Sequence, residues 1–121
     1  MMNSQQIANR LVALLRQGDY FTIYDELFHP TEVEHVEPQA PAPAFQHLKG
    51  VAAIKAKDEQ MGAMIQSISL PKVGEPIVSP NAIALHYQIK GELKDGSALA
   101  MDEVIVYELQ DGKIVSERFF Y

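Results

Sequence analysis

The chain has 121 residues, enough to close one hydrophobic core and too few for a second domain. Apolar residues make up 47% and charged residues 21%, a globular composition, and the absence of cysteine excludes disulfides, thiolate ligands and a Cys nucleophile. The net charge of −6, without any run of Lys or Arg, argues against nucleic acid, whose phosphates require a basic face.

The opening Met1-Met2-Asn3-Ser4-Gln5-Gln6 lacks the basic start and apolar stretch of a signal peptide. No apolar run approaches the ~20 residues of a membrane span. A cytoplasmic protein without a membrane partner is expected. Ile7, Leu11, Leu14 and Leu15 then fall on one stripe of a helix, which Asn3 or Ser4 can cap and Gly18 can end. Asp19 is placed to cap a second helix with Tyr20, Ile23, Tyr24, Leu27 and Phe28 along one side, and Pro30 stops it. The pair reads as a helical hairpin.

Residues Thr31 to Glu37 read as extended, and Pro38-Gln39-Ala40-Pro41-Ala42-Pro43-Ala44 as loop or polyproline-like chain. Gly50 opens a third helix whose expected buried side is Val51, Ile54, Met61, Met64 and Ile65, with Lys55 and Glu59 paired on the wet side. Short strands are expected at 65–70 and 76–78. Ile83, Leu85, Tyr87 and Ile89 alternate with Ala84, His86, Gln88 and Lys90, the period of a strand with two different faces. Lys94-Asp95-Gly96 and Gln110-Asp111-Gly112 are hairpin turns that frame strands at 97–109 and 113–121. No internal repeat is visible.

Four segments carry a family resemblance in order along the chain. They are Arg10-Leu11-Val12-Ala13-Leu14-Leu15-Arg16-Gln17-Gly18-Asp19, Val33-Glu34-His35-Val36-Glu37-Pro38, Gly50-Val51-Ala52-Ala53-Ile54 and Asp111-Gly112-Lys113-Ile114-Val115-Ser116-Glu117-Arg118. Together they resemble the SnoaL-like branch of the nuclear transport factor 2-like superfamily, which includes the ketosteroid isomerases and polyketide cyclases. The resemblance implies an α+β cystatin-like cone: a helical hairpin and a third helix packed on a curved antiparallel sheet around a pocket. Members isomerise, dehydrate, cyclise or simply bind, so the fold leaves the activity open.

His35 and Glu37 are two apart on an extended segment and share a face. The resemblance puts the family's pocket base at one or the other: matching Glu37-Pro38 selects Glu37, whereas matching Val33-Glu34-His35 selects His35. Either can accept a proton from carbon beside a carbonyl if burial tunes its pKa. Glu117 shares an alternating face with Val115, Phe119 and Tyr121; it either enters the pocket or pairs with Lys113 or Arg118 in water. Tyr24, Phe45, Met61, Tyr107 and Phe119 are the expected pocket walls.

The resemblance also marks a departure. The positions matching the isomerases' two oxyanion donors are Leu11 and Ile105, which cannot donate a hydrogen bond. Tyr20, Tyr24, Tyr107 or Tyr121 remain as substitutes. His29, His47 and His86 have no partner at metal spacing, and no cofactor motif occurs, so neither metal nor cofactor is expected. Two readings stand. One is a small-molecule isomerase, cyclase or dehydratase acting on an apolar or carbonyl-containing molecule; the other is a non-catalytic ligand-binding or dimerisation module. Val104 to Tyr107 is apolar on both faces, which predicts a homodimer through the sheet.

Overall fold

The computed structural model describes residues 1–121. Helix α1 (Ser4–Arg16) starts at a capping box in which the Asn3 side chain accepts from the Gln6 N–H and the Gln6 side chain accepts from the Asn3 N–H. Gly18 turns the chain at φ +70°, where a side chain is disfavoured, and Asp19 caps α2 (Tyr20–Leu27). The two helices bury the stripes read from the sequence: Ile7, Leu11, Leu14 and Leu15 on α1, and Ile23, Tyr24, Leu27 and Phe28 at α2 and its C-terminal end.

Strand β1 is only Glu34–Val36, shorter than the extended segment expected. The Pro-rich loop ends in a short 3-10 turn at Pro43–Phe45, followed by β2 (His47–Lys49), which the sequence did not announce. Helix α3 spans Val51–Ala63, and of its expected buried side only Ile54 is fully buried. Met64 caps the helix half exposed, and Ile65 already belongs to β3 (Ile65–Ile68). The physical reason is that α3 closes over an opening instead of pressing into the dense core. Lys55 pairs with Asp25 on α2 at 2.6 Å, replacing the expected Glu59.

The sheet runs in the order β2-β1-β8-β7-β6-β3. Its spine is two long strands, β6 (Ala82–Leu93) and β7 (Ala98–Gln110), joined by the Asp95-Gly96 turn and followed by β8 (Lys113–Phe120). Three short pieces cover the other edge of β6: β3, the unforeseen β4 (Lys72–Val73) and β5 (Ile77–Ser79). Gly91 permits the β3 crossing, because a Cβ there would lie 2.3 Å from the Ser67 carbonyl oxygen. The sheet is mixed: β1 joins β8 in parallel, since strands this far apart in sequence are not tied by a hairpin.

A bulge between Glu108 and Leu109 shifts the β7–β8 register. Consequently Ile114, Glu117 and Phe119 point inward, and Val115 does not share the face of Glu117 as simple alternation implied. The helices cover the concave face, where Ile83, Leu85, Ile105 and Ile114 complete the core. No helix is long and apolar enough to cross a membrane.

Candidate functional site

Between the helices and the concave face of the sheet lies a cavity of about 370 Å³. The sheet register decides which side chains enter it. One cross-strand row reads His35 on β1, Glu117 on β8, Tyr107 on β7 and Ile83 on β6. The next inward row holds Phe119, Ile105 and Leu85, and a third pairs Glu103 with Tyr87. From the helix side, α3 contributes Lys57, Asp58 and Met61, and α2 contributes Tyr20, Phe21 and Tyr24.

Four of the charged side chains in this cavity, His35, Glu37, Lys57 and Glu117, form one hydrogen-bonded cluster. His35 is 2% exposed, Glu117 5% and Glu37 7%, values that leave little room for hydration. His35 Nδ1 lies 2.7 Å from Glu117 Oε1. Because a carboxylate only accepts, Nδ1 carries the proton there. His35 Nε2 is 3.1 Å from Glu37 Oε1 and 3.1 Å from Lys57 Nζ. Lys57 Nζ also donates to Glu37 Oε1 at 3.0 Å, and the Tyr121 hydroxyl donates to Glu37 Oε2 at 2.7 Å.

This geometry satisfies the imidazole in both protonation states. As a cation its Nε2–H donates to Glu37; when neutral, Nε2 accepts from the Lys57 ammonium. A proton can therefore leave and return without stranding a buried polar atom. Burial works against the imidazolium, but hydrogen bonds to Glu117 and Glu37 more than offset it and raise the His35 pKa. Burial likewise opposes ionisation of Glu37, yet His35, Tyr121 and Lys57 together bring it down to about 2.

Two further acids behave differently. Glu103 is 3% exposed, its Oε1 has no hydrogen-bond partner, and burial followed by repulsion from Glu37 pushes it up to about 7. Asp58 accepts a short hydrogen bond from the Tyr24 hydroxyl, and burial raises its pKa. Of the five tyrosines, Tyr20 and Tyr87 bond each other, Tyr24 bonds Asp58 and Tyr121 bonds Glu37. Tyr107, whose pKa burial raises well above the usual range, lines the cavity with no protein partner for its hydroxyl.

Of the residues singled out in the sequence, the structure places His35, Glu37, Glu117, Tyr24, Met61, Tyr107 and Phe119 around one cavity. Phe45 is a correction: it sits in the 3-10 turn after the Pro-rich loop and is not among the lining residues. Glu117 takes the inward alternative, while Arg118 pairs with Glu108 and Lys113 donates to the Glu26 carbonyl. Leu11 is fully buried in the core away from the cavity, and Ile105 lines it without any donor. His29 accepts from the Thr31 and Glu32 N–H groups, His47 lies 3.4 Å from Glu34, and His86 bonds Asp102 on the outer face. No group of three or more His, Asp or Glu side chains is arranged to hold a metal ion.

Sequence reading missed Lys57, Asp58 and Glu103. The first two are charged helix residues indistinguishable from a wet face. Glu103 did leave a signal, since it alternates in phase with Met101, Ile105 and Tyr107 on the inward face of β7.

The fold is shared with solved structures. A Mesorhizobium loti protein provisionally named a SnoaL-like polyketide cyclase is 25% identical, with a TM-score of 0.85 over 97% of both chains. A Xanthomonas campestris protein of cystatin-like fold is 22% identical, with a TM-score of 0.79 over 98% of this chain and 90% of that one. A nuclear transport factor 2-like protein from Burkholderia pseudomallei is 16% identical, with a TM-score of 0.78 over 100% and 92%. No curated protein matches the chain. The SnoaL-like domain model matches residues 2–121, and with that coverage the chain belongs to the SnoaL-like family, with an α+β cone fold.

Proposed function

We propose that the chain binds a small, mostly apolar, carbonyl-containing molecule in the cone and moves a proton on it, with His35 as the general base. The observation that carries this reading is the buried histidine whose two nitrogens have partners in either protonation state. Glu37, the other candidate, is held at about 2 by three donors and is too weak a base near neutral pH. Glu117 fixes the ring and its tautomer in the manner of a carboxylate behind a catalytic imidazole. Tyr107, one strand beyond Glu117, offers a free hydroxyl to the oxygen that gains charge. Apolar walls exclude water around the reacting carbon. The likeness to the Mesorhizobium loti protein named as a polyketide cyclase supports a carbonyl-containing substrate of polyketide type.

The test is solvent deuterium incorporation beside the carbonyl of acetophenone and tetralone. Wild type should exchange above background, and His35→Gln should lose roughly 10²–10⁴-fold, the usual contribution of a general base. Exchange that is no faster with wild type than with the variant would overturn the catalytic reading.

The alternative is a binding module without chemistry. It is favoured by one observation, that Nε2 of His35 already engages Glu37 and Lys57 and must give one of them up to meet a substrate. Ketone binding without exchange identifies that case.

The outer sheet face supports a homodimer. Val104 and Phe120 are cross-strand partners there, 43% and 57% exposed, an apolar pair that a second copy would cover. Light scattering after size exclusion that gives a monomer at micromolar concentration overturns it. A cysteine-free chain has no need of an oxidising compartment, which supports a cytoplasmic location that fractionation can check.

A further inference from the structure

Proton transfer by His35 leaves one carboxylate of the cavity unused. Asp58 lines the cavity and accepts from Tyr24 at Oδ2, but no protein group bonds its Oδ1. Neither neighbouring lysine serves it: Lys57 reaches Glu37 and His35, and Lys55 reaches Asp25.

The charges of the cavity do not balance. With His35 protonated, His35 and Lys57 offset Glu37 and Glu117, all four tied together by hydrogen bonds. Asp58 remains over. Glu103 adds a second carboxyl without a cation, buried with Oε1 unpartnered on the inward face of β7, between Met101 and Ile105, which both line the cavity. A carboxylate in a mostly apolar cavity without a counter-charge is costly, and an incoming cation relieves that cost.

The walls beside Asp58 suit a cation as well. Tyr24 lies between Phe21 and Phe28, with ring centroids 6.0 Å and 5.0 Å away, and all three rings line the cavity. Aromatic faces attract ammonium groups, and Lys55 Nζ already lies 5.3 Å from the Phe21 centroid. A carboxylate ligand would instead deepen the negative surplus. A neutral ligand would leave it as it is.

We infer that Asp58, with Tyr24 and the adjoining aromatic rings, is a binding subsite for a protonated amine, and that the cavity's ligand is a small apolar molecule carrying one. This rests on the reading of the cavity as a ligand site. A volume of about 370 Å³ admits a molecule of one or two rings.

The test is calorimetric titration of the full chain at pH 7 with three probes of matched size: phenethylamine, phenethyl alcohol and hydrocinnamate. The amine should bind about tenfold tighter than the alcohol, and hydrocinnamate weaker than both. Asp58→Asn should bring the amine down to the level of the alcohol, and Asp58→Glu should keep most of the preference. The wild-type ranking needs no variant, so a misfolded Asp58→Asn cannot hide the answer. Amine and alcohol binding equally, hydrocinnamate binding best, or a preference that survives Asp58→Asn each overturns the inference while leaving the cavity a ligand site. Binding of none of the three overturns the inference alone if acetophenone still binds, and overturns both if it does not.

Discussion

Two of the sheet's histidine–carboxylate pairs lie on opposite faces. On the concave side His35 bonds Glu117; on the convex side His86 on β6 bonds Asp102 on β7. The chemistry is the same and the setting is not. His35 and Glu117 have side chains 3% and 7% exposed, whereas those of His86 and Asp102 are 51% and 68% exposed. Outside, water can solvate either partner when the other is lost, so the pair is worth little. Inside, the loss of one partner strands the other, and His35 also meets Glu37 and Lys57, with Tyr121 donating in turn to Glu37. The same two residue types thus decorate one face and organise the other.

His35→Ala should break the comparison most severely. It removes the partner that Glu117 and Glu37 share, and breaking a buried pair costs about 3–5 kcal/mol. A urea titration should show a lower midpoint at unchanged slope. An unaltered midpoint would mean that water reaches the cluster.

Glu103 should respond in the opposite sense and only at higher pH. Its carboxyl is pushed from the ordinary 4.5 up to about 7, so ionisation penalises the fold as the pH rises from one value through the other. Glu103→Gln should stabilise by about 1–3 kcal/mol at pH 8 and have almost no effect at pH 4. The inner cluster adds its own pH dependence. The raised His35 pKa gives support that is full below about 6.5 and fades as the pH rises through its folded value. Support from Glu37 holds above 4.5 and is lost as the pH falls toward about 2. Wild-type midpoints in urea should therefore peak between these limits and decline toward pH 8. A flat profile would contradict the burial of all three groups.

His86→Ala is the smallest effect. A change of under about 0.5 kcal/mol is expected for an exposed pair, with the same urea titration as the check. If a homodimer covers that face, the loss should grow with protein concentration.

Local pattern carried much of this molecule. The stripes of α1 and α2, a cap at Asn3 or Ser4, the cap Asp19 and the Asp-Gly turns were written in short-range sequence, because helix and hairpin geometry repeat over two to four residues, and the structure selects Asn3. Period two also put His35 and Glu37 on one face and set Glu117 beside Phe119. What periodicity could not supply was which face turned inward, and the bulge near Leu109 overrode it at Val115. Strands β2 and β4 were illegible because two or three residues hold too little pattern, and they form only where a longer strand offers an edge. The polar site was the least legible part. His35 and Glu117 are 82 positions apart, and Lys57 reaches His35 and Glu37 from a helix where nothing local separates it from the wet-side Lys55 and Glu59. Residue type fixed which groups could share protons; only packing decided which were denied water, and water is what otherwise makes such groups indifferent to one another.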